Sequence, residues 1–188
     1  MTRIVAGVAG GRRLRVPPRG TRPTSDRVRE ALFSSLETLI DLDGAVVLDL
    51  YAGSGALGFE AMSRGAVRAT FVESDKRAAE VLKSNAKVVA LPGVTVLNRT
   101  AESVVGAAAE VACDVVFADP PYAVGDEQLN RVLASLVTNG WTKPGSLVVV
   151  ERDARSAEPI WPSAVESLRS KRYGDTTLHW AEQVDAYG

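Results

Sequence analysis

Between Val46 and Glu151 the chain repeats a single alternation: a short apolar run rich in β-branched residues, then a stretch with helical spacing. The runs are Val46–Leu50, Thr70–Glu73, Val94–Leu97, Asp114–Ala118 and Ser146–Glu151. The helical stretches lie near Leu57–Ser63 and over Asp75–Val89, Ala101–Ala109 and Asp126–Leu136. Strands joined through helices run parallel, and a parallel sheet has to be covered on both faces. The rhythm changes near the end, where Val165–Tyr173 and Thr176–Ala181 flank Gly174-Asp175, a hairpin signal that places two antiparallel strands at a sheet edge. The expected fold is therefore α/β, with a mostly parallel seven-stranded sheet and a C-terminal antiparallel hairpin. At 188 residues this is one domain with room for a small appendage.

The appendage is expected at the N-terminus. Arg3–Val8 alternates weakly, Gly10-Gly11 signals a turn, and Leu14-Arg15-Val16 alternates again, which predicts a short basic β-hairpin. A loop follows over 17–23. Thr24 or Ser25 then caps a helix whose apolar positions Val28, Ala31, Leu32, Leu36, Leu39 and Ile40 recur at helical spacing. The division predicted is an arm over 1–24 and a main domain over 25–188. Net charge is −1, but residues 1–30 hold eight arginines (3, 12, 13, 15, 19, 22, 27, 29) against Asp26 and Glu30, so the remainder is acidic. Positive charge pooled at one end is what a polyanion-docking surface needs, and arginine suits bidentate phosphate contacts. A solvated arm that only aids solubility has the same charge pattern.

Several classes are excluded. The longest uncharged runs, Val88–Asn98 and Val132–Thr142, are too short to cross a bilayer. A single cysteine, Cys113, and a single histidine, His179, leave no disulfide framework, no expected metal site and no Ser-His or Cys-His nucleophile. Met1-Thr2-Arg3-Ile4 lacks the apolar core of a secretory signal, so a cytoplasmic protein is expected. No surplus apolar stretch calls for a partner copy, which favours a monomer.

Two motifs carry chemistry. The first strand runs into Tyr51-Ala52-Gly53-Ser54-Gly55-Ala56-Leu57-Gly58, in which Gly53, Gly55 and Gly58 satisfy G-x-G-x-x-G. Such a loop permits a tight turn and close approach of a ligand to the backbone, although a purely structural turn satisfies the pattern too. Glu73 ends the next strand, where a carboxylate can accept from both hydroxyls of a ribose. Asp49, just before the loop, argues against a pyrophosphate, because like charges at close range repel. It suits a ligand carrying positive charge, such as the ammonium of S-adenosylmethionine, or it braces the loop by bonding nearby amides. The second motif, Asp119-Pro120-Pro121-Tyr122, follows the fourth strand, at the carboxyl edge where open parallel sheets bind ligands. The Asp119 carboxylate and Pro120 carbonyl can accept both hydrogens of an exocyclic amine, and Tyr122 can stack on the base. The bland alternative is a Pro-Pro turn that merely ends the strand.

With these residues in view, the chain resembles class I S-adenosylmethionine-dependent methyltransferases. Asp49–Gly55 is similar to their first motif, Glu73 to the acidic second, and Asp119–Tyr122 to the D/N-P-P-Y/F motif of amino-directed members. Arg3–Gly7, Gly11–Leu14 and especially Thr21–Glu30 resemble the N-terminal signature of the bacterial 16S ribosomal RNA guanine-N2 methyltransferases of the RsmD type. The resemblance implies a Rossmann-like methyltransferase fold. It further implies transfer of a methyl group from S-adenosylmethionine to a guanine N2 in the small ribosomal subunit or its assembly intermediate, leaving S-adenosylhomocysteine. Carried over residue by residue, it puts Asp49, Tyr51 and the Gly53-Ser54-Gly55 backbone around the methionine part, and Glu73 with Ser74 at the ribose. It puts Asn98, Arg99, Thr100 and Ala101 near the adenine, and Asp119, Pro120, Pro121 and Tyr122 at the methyl transfer, with Asp119 also touching the cofactor. Arg12, Arg13, Arg15, Arg19, Arg22, Thr24, Arg27 and Arg29 form the expected RNA surface, with Asp26 shaping its entrance. Lys171, Arg172 and Tyr173 line the far side of the cleft or guard an edge strand. Adenine-N6 methylation of DNA, a dinucleotide-dependent dehydrogenase and a non-catalytic RNA-binding module on the same fold are the competing readings.

Overall fold

The computed structural model describes residues 1–18 and 24–186. Parallel strands β3 (Val46–Leu50), β4 (Arg68–Val72), β5 (Val94–Leu97), β6 (Val115–Ala118) and β7 (Leu147–Asp153) join the antiparallel pair β8 (Val165–Tyr173) and β9 (Thr176–Gln183). The order across the seven-stranded sheet is β5-β4-β3-β6-β7-β9-β8. Order reverses at β3, whose neighbours are β4 and β6, so the loops after β3 and β6 diverge above one crevice.

Successive strand residues enter opposite cores because side chains alternate across a sheet. Val47, Phe71, Phe117 and Val149 pack on one face with α1 (Asp26–Leu39), α2 (Ala56–Ser63) and α3 (Lys76–Val89). Leu48, Leu50, Val116 and Val148 pack on the other with α4 (Ala101–Val105) and α5 (Asp126–Thr138). Helix α4 stops well short of the predicted Ala109. Gly106 caps it, and the Asn139 and Trp141 side chains take the Val105 and Ala107 carbonyls at 2.7 and 2.9 Å, which turns the chain back toward β6. In the tail, β9 inserts between β7 and β8, so of the two hairpin strands it is β8 that forms a sheet edge, opposite the edge at β5. Its residues 166–172 are exposed and include Glu166, Arg169, Lys171 and Arg172, a row that discourages pairing with another chain.

The N-terminal hairpin is far shorter than its alternation suggests, pairing only β1 (Thr2–Arg3) with β2 (Arg13–Leu14). Its loop is held by α2 rather than by a ladder. Val5 and Ala6 donate to the buried Glu60 carboxylate at 2.8 and 3.2 Å, and Ala9 donates to Ser63 Oγ at 2.9 Å. Ile4, Ala9 and Leu14 are buried in the same core as α1 and α2. Gly7 is needed there: its φ is +84°, and a Cβ would lie 1.9 Å from the Ser63 carbonyl oxygen.

Candidate active site

The glycine loop leaves β3 through Tyr51, a non-glycine residue at φ +57°, and reaches α2 through Gly55 at φ +83°. A side chain at Gly55 would strike Phe59 at 2.4 Å, and one at Gly58 would strike Phe71 at 2.3 Å, so both glycines allow helix, strand and loop to approach. Asp49 is buried and accepts from the Gly58 amide at 3.0 Å. Burial pushes its carboxyl up to about 8, and nearby Glu73 adds to the rise while the Gly58 amide opposes it. Asp49 thus braces the loop and is also an acid that a cation alongside would ionise. Glu73 accepts from the Gly53 amide at 2.9 Å and from the Asp75 amide at 2.9 Å, binding the loop to the carboxyl end of β4. Asn98 donates to the Glu73 and Ser74 carbonyls at 2.9 and 3.1 Å, which brings the loop after β5 alongside. Ser74, Arg99 and Thr100 are exposed on this edge; Thr100 caps α4, Arg99 donates to the Ser103 carbonyl, and Ala101 is buried beneath.

Two cavities meet above the sheet. A cleft of about 40 Å³ lies over the glycine loop, bounded by Asp49, Tyr51, Gly53 and Ser54, with Val16, Pro17 and Arg29 from the N-terminal region beside it. A larger cavity of about 360 Å³ is lined by the Asp119–Tyr122 tetrapeptide, the carboxyl end of β7 and the β8–β9 turn. Asp119 and Thr24 line both. Burial, and then the charges of Glu151 and Asp49, hold the Asp119 carboxyl well above the ordinary carboxylate range, while Arg152 opposes the rise. Burial raises Glu151 as well, against a hydrogen bond from Thr24. Thr24 Oγ1 donates to Glu151 Oε2 at 2.7 Å; the cap of α1 is Ser25, whose Oγ accepts from Val28 at 3.2 Å. Tyr122 is 78% exposed, and its hydroxyl donates to Asp153 Oδ2 at 2.9 Å, anchoring the ring's end beside the cavity.

The basic residues divide. Arg13, Arg15 and Arg27 are exposed, and Arg12 donates to the Val89 carbonyl from an exposed position. Arg19 and Arg22 lie outside the described residues. Arg29 departs from the expected RNA surface: it is 1% exposed, pairs with buried Glu60 at 3.4 Å and with Asp26 at 2.9 Å, and donates to the Arg3 carbonyl. Removing this guanidinium from water is tolerable only because carboxylates surround it, and it fastens arm to α2 rather than meeting phosphate. Of Lys171, Arg172 and Tyr173, only Tyr173 lines the cavity; Lys171 lies over its ring at 5.2 Å and Arg172 bonds the Gly174 carbonyl.

Sequence reasoning missed Glu151, Arg152 and Asn85. The position of Glu151 at the carboxyl end of a predicted parallel strand is the signal that points to it. Among the described residues no cluster of three His, Cys, Asp or Glu side chains could hold a metal ion, and no helix is long and apolar enough to cross a membrane.

The family described as conserved hypothetical protein 95 matches residues 2–182. The chain is 39% identical to ribosomal RNA small subunit methyltransferase D of Escherichia coli strain K12, across 99% of this chain and 91% of that protein. It is likewise 39% identical to the Haemophilus influenzae protein of the same name, across 92% and 89%. The solved structure of Escherichia coli yhhF superposes with a TM-score of 0.85 at 35% identity, covering 97% of this chain and 98% of that one. Fold, motif order and this similarity along nearly the whole length agree: the chain belongs to the conserved hypothetical protein 95 family, together with these ribosomal RNA small subunit methyltransferase D proteins.

Proposed function

We propose that the protein transfers a methyl group from S-adenosylmethionine to the exocyclic N2 of a guanine in 16S ribosomal RNA, acting as a monomer on the small subunit or its assembly intermediate in the cytoplasm. The observation that carries this reading is the place of Asp119, on the wall shared by the cleft above the glycine loop and the cavity beside Tyr122. A group there can hold an acceptor amine against a donor methyl.

The residues fit the cofactor. Asp49, a buried acid whose ionisation a cation favours, suits the ammonium end; the Gly53-Ser54-Gly55 backbone borders it; Glu73 and Ser74 suit the ribose, and Arg99 to Ala101 the adenine side. When bound, S-adenosylmethionine supplies an electrophilic methyl on sulfur. On the acceptor side, the Asp119 carboxylate and the Pro120 carbonyl take the two hydrogens of N2. That favours a pyramidal nitrogen and aims its lone pair at the methyl. With the cofactor held by Asp49 and the glycine loop, a nitrogen so aimed would accept the methyl, and S-adenosylhomocysteine would be the other product. The nitrogen, cationic for a moment, releases a proton to Asp119 or to water, so no strong base is required. Positioning and electrostatics supply most of the rate. Tyr122 stacks on a base drawn out of the RNA strand, and Arg12, Arg13, Arg15 and Arg27, with Arg19 and Arg22, meet phosphates.

Calorimetric titration with S-adenosylmethionine and with NAD separates the methyltransferase from the dehydrogenase: heat is expected with the former alone. Undermethylated small subunits incubated with labelled cofactor are expected to yield N2-methylguanosine on nuclease digestion and mass spectrometry. N6-methyladenosine would instead establish the adenine reading, and absence of any methylated nucleoside the binding module.

A further inference from the structure

With Asp119 and Pro120 at the reacting amine, the rest of the base edge still needs a partner. Guanine presents two neighbouring donors, N1–H and the N2 amine. Adenine presents an amine beside a bare N1 acceptor, and 2-aminopurine has the guanine amine next to a bare N1. The wall of the 360 Å³ cavity next to Asp119 is a second carboxyl group, Glu151, half-buried at the carboxyl end of β7. Its orientation is set from across the fold by Thr24 Oγ1, 2.7 Å from Oε2. The cationic neighbour Arg152 gives its two terminal nitrogens to the Val124 carbonyl at 3.3 Å and Asp126 Oδ1 at 2.7 Å, while its buried Nε has no partner among the described residues. The Tyr122 hydroxyl donates to Asp153. Two carboxyl groups, Asp119 and Glu151, therefore line one cavity beside Pro120, and Thr24 fixes one of them.

We infer that Glu151 is the specificity-determining residue, its carboxylate accepting the guanine N1–H while Asp119 and Pro120 hold N2, with Thr24 as the positioning residue that keeps the carboxylate in line. This rests on the guanine-N2 reading. A carboxylate opposite a bare N1 sets two acceptors against each other, and a site built to bond a donor rejects the analogue that lacks it. Adenine is then refused by the same contact that selects guanine.

Small subunits rebuilt with guanine or 2-aminopurine at the mapped target, compared in single turnover, test this. Both bases carry the acceptor amine; they differ at N1 and in the 6-oxo group, and only the N1 difference is expected to respond to residue 151. Wild type is expected to prefer guanine by about 100-fold, the ratio that corresponds to one buried acceptor left unpaired. In Glu151→Gln, whose amide can donate to a bare N1, that preference is expected to narrow at least tenfold, with S-adenosylmethionine affinity unchanged. Wild-type indifference to N1, or full preference retained by Glu151→Gln, overturns the assignment. Should Glu151→Gln be inactive on both bases, Thr24→Val, which only releases the carboxylate, carries the comparison on the same criterion. Failure of the guanine reading looks different: the wild-type digest then contains no N2-methylguanosine at all.

Discussion

Asn85 ties Ser54 to Arg15. Its Nδ2 donates to the Ser54 carbonyl in the glycine loop at 2.8 Å and to the Arg15 carbonyl at 2.9 Å, while its Oδ1 accepts from the Arg15 amide at 2.9 Å. One buried side chain on α3 thus satisfies both main-chain groups of the basic arm's Arg15 and one in the loop expected to hold cofactor. Asn85→Ala leaves these groups without partners, each worth about 1–3 kcal/mol if it stays buried. Expected results are about tenfold weaker S-adenosylmethionine binding by calorimetry and weaker RNA binding in the same variant. Loss of only one of the two would break the link.

Asp49 predicts an unusual pH response. Burial pushes its carboxyl in the folded protein up to about 8 from an ordinary value of 3.8. Because the folded value is raised, its contribution to stability is greatest at acid pH and is lost as pH rises toward and through 8. Cofactor binding runs the other way, since a cation favours the ionised acid: affinity should climb from pH 6 to 8 and then level. Asp49→Asn should flatten both profiles, weaken binding, and raise the melting temperature at pH 8.5 by roughly 3–6 °C through loss of a buried charge. Calorimetry and thermal melts across pH 6–9 read both effects.

Asp119→Ala is expected to lower the single-turnover rate about 10²–10³-fold, the magnitude typical of removing one transition-state hydrogen-bonding group. S-adenosylmethionine affinity should move little, because Asp49 and the glycine loop remain. Asp119→Asn keeps an acceptor oxygen and should retain more activity than alanine. Unchanged turnover in Asp119→Ala would refute the site.

The arginines should separate by measurement as they do in space. If four or five of them meet backbone phosphates, log affinity against log salt should slope at about −3 to −4, taking about −0.7 per single-strand contact. Replacing exposed Arg13 and Arg15 by alanine should flatten that slope by about 1.4 without changing the melting temperature. Arg29→Ala should instead destabilise the fold by about 3 kcal/mol, because it breaks a buried ion pair and leaves Glu60 with Arg64 as its remaining cationic partner. A denaturant melt distinguishes the two.

Much was legible in the chain itself wherever chemistry is local. Strands β3 to β7, the glycine turn and the Asp119–Tyr122 turn follow from side-chain period, from glycine's access to positive φ and from proline's fixed φ, each a property of a few adjacent residues. What only tertiary packing decided are contacts between positions far apart in sequence. Arg29 reads as one more arginine of a basic arm until Glu60, on another helix, draws it inside; Thr24 reads as a helix cap until Glu151, 127 residues away, claims its hydroxyl. Glu151 itself lies near the carboxyl end of β7 with no motif around it, and it acquires its neighbour Asp119 only because β6 and β7 lie side by side. No periodicity encodes such pairs. They arise because burial forces each polar group to find a partner, and the nearest partner is set by the folded arrangement of the strands and helices.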